Sequence, residues 1–354
     1  MQYSGKRRET KSFTIGDVGI GSAYPVSIQS MTNTDTRDAQ ATLMQIRQLA
    51  DAGCQMVRVA VPDEEAANAL KQICAESPVP VIADIHFNHR LALMAMDNGI
   101  SSLRINPGNI GSEEKVREVV SQAKAMQVPI RIGVNAGSLE KDLLAKYQHP
   151  TAEAMVESAM RHVRILEDLN FDQIKISLKA SDVPLMLDAY RLMAEKVEYP
   201  LHLGVTEAGN AKHGIVKSAI GIGTLLAEGI GDTIRVSLTG NPLQEIPVAK
   251  QILRSLDLYP KGVEIISCPT CGRTQIALEQ LVDAVDQMVS KVNKPLKLAV
   301  MGCVVNGPGE AREADLGIAG GKGEGLIFRK GEIIKKVPEA QLLVAFQEEL
   351  DKLL

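Results

Sequence analysis

The chain is poor in aromatic residues. It has no tryptophan, and Phe, Trp and Tyr together make up 3% of its 354 residues. Single-stranded nucleic acid is bound by stacking bases on aromatic rings, and a net charge of −4 offers no excess of basic side chains, so we expect no nucleic-acid partner. No stretch approaches the run of about 18 apolar residues that a membrane span needs, so we expect no membrane association.

Cysteine is also scarce, with five residues in the chain. A small and odd number in a chain of this length argues against a disulfide framework. The polar first ten residues are not followed by the apolar segment that marks a signal peptide. We therefore expect reduced thiols and a cytoplasmic location.

From residue 25 to about residue 260 the chain repeats one unit eight times. Each unit is a short β-branched run, a turn signal and an amphipathic stretch with helical spacing. Eight such units predict an α/β fold, a (β/α)8 TIM barrel over residues 1–259 with residues 1–24 as a cap at its bottom; an open doubly wound sheet is the alternative. The predicted strands are Pro25–Thr32, Met56–Val61, Pro80–Phe87, Ser102–Gly108, Pro129–Asn135, Gln173–Lys179, Leu201–Glu207 and Thr233–Thr239.

Polar side chains alternate with apolar ones along several of these strands. In Ile130–Asn135, for example, Arg131 and Asn135 alternate with isoleucine and valine. Because side chains of a strand point alternately to opposite faces, we expect the apolar set to face the helices and the polar set to face the barrel interior. The inward polar set includes Arg58, Asp84, His86, Arg104, Arg131, Asn135, Lys175, Ser177, Lys179, Arg235, Ser237 and Thr239.

The cations of this set outnumber the two carboxylates that could pair with them, Asp84 and Glu207. An isolated buried charge is costly, so the cations need anions. A multiply charged ligand at the C-terminal mouth would balance them, and a diphosphate suits arginine, which pairs bidentately with phosphate oxygens. The alternative is that some cations lie higher, in solvated loops. Lys175 stands apart because it lies below the end of its strand and could sit deep or pair internally.

A smaller α+β domain is predicted over residues 260–354. Its first strand, Val263–Ser267, runs into Cys268-Pro-Thr-Cys271, and its second, Leu296–Met301, runs into Cys303. Two loops at strand ends can converge on one metal centre, and the tight turn after Cys303 could bring Glu310 to the same point. A helix over 274–292, a hairpin over 326–337 and a terminal helix over 339–354 complete the prediction.

Three cysteines at this spacing fit zinc, an iron–sulfur cluster or a dithiol redox pair. Structural zinc prefers cysteine or histidine as its fourth ligand, and no histidine follows His213. A dithiol pair would not need Cys303. A [4Fe–4S] cluster with an oxygen ligand on its fourth iron fits best, because a carboxylate exchanges more readily than a thiolate. Zinc and no metal stay open as alternatives, and Cys54 and Cys74 are interpreted as buried structural residues.

Eight motifs stand out along the chain: Ser30-Met-Thr-Asn-Thr34, Val59-Ala-Val-Pro62, Asp84-Ile-His86-Phe, Arg104-Ile-Asn-Pro-Gly108-Asn, Arg131-Ile-Gly-Val-Asn135, Thr206-Glu-Ala-Gly209, Cys268-Pro-Thr-Cys271 and Gly302-Cys-Val-Val-Asn-Gly-Pro-Gly-Glu310. With these motifs the chain resembles the bacterial 4-hydroxy-3-methylbut-2-enyl diphosphate synthases. The resemblance covers nearly the whole chain, and the last motif is highly specific. No large insertion separates the two domains, as in the short two-domain form of the family.

The resemblance implies an oxidoreductase of the non-mevalonate isoprenoid pathway. Such an enzyme reductively opens 2-C-methyl-D-erythritol 2,4-cyclodiphosphate and expels a hydroxyl as water, which gives the linear allylic diphosphate. Two electrons would enter through a [4Fe–4S] cluster from flavodoxin or ferredoxin. The resemblance also implies a homodimer in which the cluster domain of one subunit closes over the barrel mouth of the other.

The same resemblance implies roles for individual residues. The positions that match the cluster ligands are Cys268, Cys271, Cys303 and Glu310. As the replaceable ligand, Glu310 would also take part in catalysis. Asp84 and His86 would lie near the carbon end of the substrate, and Glu207 is a candidate acid or base. The positions that match residues holding the diphosphate are Arg58, Arg104, Arg131, Asn135, Lys179, Arg235 and Ser237.

Three other functions compete with this one. A pterin-binding barrel of the dihydropteroate-synthase type has a similar polar mouth but leaves the cysteines unexplained. An electron carrier or iron–sulfur storage protein would not need several inward cations. A barrel with a structural zinc domain is the third alternative.

Overall fold

The chain divides into two compact units, Met1–Tyr259 and Pro260–Leu354. The computed structural model describes residues 6–260, 262–289, 292, 294–303 and 311–354. Within these residues, no helix is long and apolar enough to cross a membrane.

Eight parallel strands form the barrel of the first unit. Seven ladders join them in the order β8-β7-β6-β5-β4-β3-β10-β9, and a parallel bridge between Ile176 and Leu201 joins β8 to the start of β9, which brings the two ends of the sheet together. The predicted TIM-barrel fold is thus confirmed. The strands are β3 Ser27–Met31, β4 Met56–Ala60, β5 Val81–Asp84, β6 Ser102–Ile105, β7 Ile130–Asn135, β8 Ile174–Lys179, β9 His202–Leu203 and β10 Thr233–Ile234.

The last two strands are shorter than the sequence predicts. The prediction extended them to Glu207 and Thr239, but each has two residues in the structure. The Arg235 N–H still donates to Leu203 of β9 (2.9 Å), but farther along the backbone bonds to loops and side chains: the Leu238 N–H donates to a carboxylate oxygen of Glu245 (3.1 Å), and the Thr239 N–H donates to the carbonyl of Gly209 (3.0 Å). These segments therefore shape the mouth of the barrel.

Helices surround the barrel, and six of the nine described there begin at a side-chain cap. The Thr151 hydroxyl accepts the N–H of Ala154 at the start of α6, and the Asp182 carboxylate accepts that of Leu185 at the start of α7. Their apolar faces pack on the outward residues of the strands in one continuous core. The helices are α1 Ala39–Asp51, α2 Glu64–Glu76, α3 His89–Asp97, α4 Glu113–Ala125, α5 Lys141–Tyr147, α6 Ala152–Asp168, α7 Val183–Lys196, α8 Ala211–Ala227 and α9 Glu245–Ser255.

A short antiparallel hairpin closes the bottom of the barrel. It consists of β1 Phe13–Ile15 and β2 Val18–Ile20. Its residues Ile15 and Ile20 pack against Met56 and Ile82, which lie near the N-terminal ends of β4 and β5. The predicted cap is therefore present, and the bottom of the barrel is sealed by apolar contacts.

The second unit is a five-stranded mixed sheet with helices. Strands β11, β12 and β13 are parallel, and β14 and β15 continue the sheet as an antiparallel hairpin. The hairpin turns at Lys330 and Gly331, both in the left-handed region, as a two-residue turn requires. The elements are β11 Val263–Ser267, α10 Leu278–Val289, β12 Leu296–Met301, β13 Leu316–Gly320, β14 Glu324–Arg329, β15 Glu332–Pro338 and α11 Leu342–Asp351.

Candidate functional site

A polar row crosses the inside of the barrel on four neighbouring strands. Asp84 of β5 is in register with Arg104 of β6, Arg104 with Arg131 of β7, and Arg131 with Lys175 of β8. The four residues are 1–6% exposed. The inward direction that the alternation predicts is therefore correct for this row, and one carboxylate shares it with three cations.

A pocket lies above this row at the C-terminal ends of the strands. It has a volume of about 120 Å³. Every residue predicted to bind substrate lines this pocket, together with Ser177 and Thr206. The predicted residues are Arg58, Asp84, His86, Arg104, Arg131, Asn135, Lys179, Arg235 and Ser237.

Asp84 organises one side of the pocket. Its carboxylate lies 3.6 Å from Arg58 Nε, 3.4 Å from Arg104 Nη1 and 3.6 Å from His86 Nε2. Burial alone would raise its pKa, but Arg58, His86 and Arg104 outweigh burial and hold the pKa of Asp84 well below its usual range. Asp84 is therefore a fixed anion and not a proton donor at neutral pH.

Arg104 is held by several neighbours at once. Its Nη2 donates to the carbonyl of Gly133 (2.8 Å), and its Nη1 lies 3.1 Å from His86 Nδ1 in addition to the contact with Asp84. A Cβ at position 133 would lie 2.4 Å from Arg104 Nε, so a side chain there would displace the guanidinium. The guanidinium is thus fixed in place before any ligand arrives.

A second carboxylate beside the pocket arginines is Glu245, which the sequence pattern did not indicate; it contacts Arg235 without lining the pocket itself. It is 2% exposed, accepts the hydroxyl of Ser30 (2.9 Å) and the N–H of Leu238, and lies 3.5 Å from Arg235 Nε. It is the first residue of α9, just past the loop that follows β10. A carboxylate at the first helical position after a barrel strand is the signal that could have located it.

Glu207, the predicted acid or base, lies elsewhere. Its side chain is exposed in the loop after β9, its backbone is left-handed (φ 51°), and it is not among the pocket-lining residues. In the structure the pocket cations are therefore paired by Asp84 and Glu245. The catalytic role of Glu207 stays a prediction.

Two pocket cations have few or no anions to pair with. Arg131 is 1% exposed, and neither its Nε nor its Nη1 has a hydrogen-bond partner among the residues described. Burial, Arg58 and Arg104 lower the pKa of Arg131 well below its usual range. Burial, Arg131 and Arg235 do the same to the pKa of Lys179. The pocket is therefore prepared for an anion, since five cations (Arg58, Arg104, Arg131, Lys179 and Arg235) face two carboxylates.

Lys175 lies deeper than the pocket. Its Nζ is buried without a hydrogen-bond partner in the described part of the chain, and it does not line the pocket. Burial and the Arg131 charge lower its pKa well below its usual range. This agrees with the prediction that Lys175 differs from the other inward cations.

The cysteines of the second unit lie at neighbouring strand ends. Cys268 follows β11 and Cys303 lies two residues after β12, and these strands are adjacent and parallel with Ser267 opposite Val300. The N–H of Gly302 donates to Cys268 Sγ (3.2 Å). A Cβ at Gly302 would lie 3.0 Å from Thr274, so glycine at this position leaves room for the Thr274 side chain.

The Cys271 thiol has a lowered pKa. Hydrogen bonds from the backbone and side chain of Arg273 lower its pKa, although the residue is exposed. Cys54 and Cys74 have the opposite environment: burial raises the pKa of each to about 12, as expected of unreactive structural cysteines.

The described part of the second unit fits an iron–sulfur cluster in its chemistry. Cys268, Cys271 and Cys303 are free thiols on two converging loops, with an N–H···S hydrogen bond of the kind that tunes cluster thiolates. Among the residues described, no three histidine, cysteine or carboxylate side chains are close enough to hold one metal ion. A four-iron cluster holds its ligands farther apart than a single ion does. The predicted fourth ligand, Glu310, lies outside the described residues.

The barrel has the fold of several solved enzymes. It is similar to 3-dehydroquinate dehydratase from Geobacillus kaustophilus with a TM-score of 0.52 and 15% identity, over 72% of this chain and 100% of that one. A dihydropteroate synthase from Xanthomonas albilineans matches with a TM-score of 0.50 and 12% identity, over 70% of this chain and 99% of that one. At these identities the likeness shows the fold alone, so it does not support the dihydropteroate-synthase alternative.

Sequence relatives match over the whole length. The family model described as the GcpE TIM-barrel domain matches residues 10–250, and that of the GcpE protein C-terminal domain matches residues 264–352. A relative from Geobacter sulfurreducens is 60% identical over 98% of this chain and 99% of its own; one from Maridesulfovibrio salexigens is 61% identical over 98% and 97%. Both are named 4-hydroxy-3-methylbut-2-en-1-yl diphosphate synthase (flavodoxin). The chain belongs to the GcpE family, as its motifs predicted.

Proposed function

We propose that the chain converts 2-C-methyl-D-erythritol 2,4-cyclodiphosphate into 4-hydroxy-3-methylbut-2-enyl diphosphate by two-electron reductive ring opening and loss of water. Its full-length relatives carry the name of this synthase. The observation in the molecule that best supports the proposal is the buried guanidinium of Arg131, whose Nε and Nη1 have no partner in the described chain. Such a group is costly in the free protein and is stabilised by a bound anion.

The diphosphate would bind between Arg131 and Lys179. Both cations are buried, and their lowered pKa values have burial as the first cause, which a dianionic ligand would offset. Asn135 and Ser237, which also line the pocket, would supply uncharged hydrogen-bond donors. The Nη1 and Nη2 of Arg104 already contact His86 and Gly133, so this residue would contribute its charge and the N–H of its Nε, which has no hydrogen-bond partner among the residues described.

The carbon end of the ligand would lie toward Asp84 and His86. Asp84 is held as an anion by its cationic neighbours and would orient His86, whose Nε2 is 3.6 Å away. The His86 side chain is 55% exposed and so is accessible from the mouth. Glu207 would supply a proton only if its loop brought it from its exposed position toward the pocket.

Cys268, Cys271 and Cys303 would hold a [4Fe–4S] cluster, with Glu310 as its fourth, replaceable ligand. When bound, the cluster supplies single electrons for C–O bond cleavage. The chain's own contribution includes the hydrogen bond from the Gly302 N–H to Cys268 Sγ and the hydrogen bonds from Arg273 that lower the pKa of Cys271.

The proposed partners follow from the family. Flavodoxin would deliver the electrons, as the names of the relatives state for those proteins. By the resemblance, the chain would act as a homodimer in which the cluster domain of one protomer closes over the partner's barrel. A cytoplasmic location is proposed with it, because free thiols and a redox cluster suit a reducing compartment.

Anaerobic turnover tests the proposal. Protein reconstituted with iron and sulfide should convert the cyclodiphosphate into the linear allylic diphosphate when reduced flavodoxin or an artificial reductant is present, with product identified by mass spectrometry. Iron-replete protein that binds the cyclodiphosphate but yields no product would contradict the proposed reaction. Protein that takes up zinc and no iron under the same conditions would contradict the cluster.

A further inference from the structure

One uncharged side chain touches two arginines of the pocket. Met31 is the last residue of β3 and lies opposite Arg58 in the register of β3 and β4. Its Sδ is 3.2 Å from Arg58 Nε, 2.9 Å from Arg58 Nη2 and 3.5 Å from Arg235 Nη1. Two guanidinium groups therefore donate to one thioether sulfur.

The contact decides which side of Arg58 remains free. A guanidinium can bind an anion bidentately through its Nε and Nη2, or through its Nη1 and Nη2. Met31 Sδ takes the first side, and Asp84 lies 3.6 Å from the same Nε. Within the described chain, the Nη1 end of Arg58 is left for a ligand.

The N–H groups of Arg235 are also shared between a carboxylate and the sulfur of Met31. Its Nε and Nη2 lie 3.5 Å from the two carboxylate oxygens of Glu245, and its Nη1 faces Met31. Each arginine thus has a carboxylate on one side, Asp84 for Arg58 and Glu245 for Arg235, and both share the sulfur.

The chemistry of a thioether suits this position. A third carboxylate would neutralise the cations that an anionic ligand needs. A leucine would leave two or three buried N–H groups against hydrocarbon, which costs free energy for each. The sulfur of methionine is a weak acceptor without charge, so it can satisfy the N–H groups and leave the positive charge intact.

We propose that Met31 is a positioning residue for the diphosphate site: it accepts hydrogen bonds from Arg58 and Arg235 and turns their remaining N–H groups toward the phosphate oxygens. This inference rests on the proposed function, since it needs a diphosphate in the pocket. Burial first, and then the Arg235 and Arg104 charges, lower the pKa of Arg58 to about 10 against the opposing effect of Asp84, so the two guanidiniums repel one another across the sulfur.

The test compares Met31→Leu with Met31→Gln in reconstituted, anaerobic protein. Leucine keeps the size and removes the acceptor, and glutamine keeps an acceptor but adds a polar group. We expect Met31→Leu to raise KM for the cyclodiphosphate about threefold to tenfold with kcat unchanged, the pattern of lost binding. Met31→Gln should have a KM between those of Met31→Leu and the wild type. A role in packing alone predicts the reverse order, because leucine preserves the apolar contacts.

Two controls complete the experiment. Met44→Leu changes a methionine that is 61% exposed on α1 and should leave KM, melting temperature and iron content unchanged. Binding of inorganic diphosphate is measured in parallel by calorimetry, so that Met31 is tested even if the wild type does not turn over the cyclodiphosphate. Wild-type affinity for diphosphate in Met31→Leu, or weaker affinity in Met31→Gln than in Met31→Leu, would overturn the proposal.

Discussion

Replacing Arg131 by methionine should move stability and ligand affinity in opposite directions. Arg131 is buried beside Arg58 and Arg104, and its Nε and Nη1 have no hydrogen-bond partner within the described segments. Methionine fills a similar volume without charge. In the free protein the change removes an uncompensated buried cation, and in the complex it removes the donor that the diphosphate would meet.

The expected magnitudes follow from these contacts. When poorly paired buried charges are replaced by apolar side chains, the free energy of unfolding often stays the same or rises by about 1–4 kcal/mol. A charge-assisted hydrogen bond contributes about 1.5–3 kcal/mol, so losing one should weaken the binding of diphosphate about 10-fold to 150-fold. Arg131→Met should therefore melt at the wild-type temperature or above it and bind much more weakly.

Calorimetric titration with inorganic diphosphate and thermal melting measure the two effects on the same samples. Lys175→Met is the matched control, because Lys175 is another buried cation of the same row but does not line the pocket. It should preserve or raise the melting temperature and leave affinity close to that of the wild type. Wild-type affinity in Arg131→Met would remove Arg131 from the site, and a large loss of stability would refute the argument that its charge is uncompensated.

Three further substitutions test other parts of the account. The pKa of Asp84 lies below its ordinary value of 3.8, so its ionised form stabilises the fold above that pH and this contribution is lost as the pH falls through the folded-state pKa. In urea unfolding at pH 7, the free energy of unfolding of Asp84→Asn should therefore be about 3 kcal/mol or more below that of the wild type, and the difference should be smaller below pH 3.8. An equal difference between variant and wild type at both pH values would contradict the ion-pair explanation. Cys303→Ala should lower bound iron after anaerobic reconstitution, whereas Cys74→Ala should not; full iron content in Cys303→Ala would exclude it as a ligand. Glu310→Ala should keep a cluster, seen by its absorbance, and lose most turnover; normal turnover would contradict the replaceable-ligand role.

The barrel and the direction of its inner side chains could be predicted from the sequence because both depend on local periodicity. Alternation in Ile130–Asn135 placed Arg131 inward, and the structure has it there, 1% exposed. The same reasoning extended β9 as far as Glu207. It failed because the chain leaves the sheet at the mouth, where loop and side-chain hydrogen bonds replace the ladder.

The partners of the cations could not be predicted in the same way. Glu245 reaches Arg235 from the start of a helix, and Met31 meets Arg58 and Arg235 across three strand ends. These contacts depend on closure of the barrel, which brings β10 beside β3 although about 200 residues separate them. A pattern within one strand carries no information about such neighbours.

In the second unit, the positions of the cysteines could be predicted from the sequence, but the contacts between their loops could not. The sequence placed β11 and β12 correctly and therefore put Cys268 and Cys303 at strand ends. The hydrogen bond from Gly302 to Cys268 Sγ depends on the parallel pairing of these strands, which the sequence alone did not specify.

The binding of diphosphate at Arg131 and Lys179 can be seen in an anaerobic crystal structure with the cyclodiphosphate bound. We expect diphosphate oxygens at charge-assisted hydrogen-bond distance, about 2.7–2.9 Å, from Arg131 Nη1 and Lys179 Nζ, with the Asp84 carboxylate still paired to Arg58 and Arg104. A cyclodiphosphate whose phosphates lie away from Arg131 and Lys179, with both side chains unchanged, would contradict it.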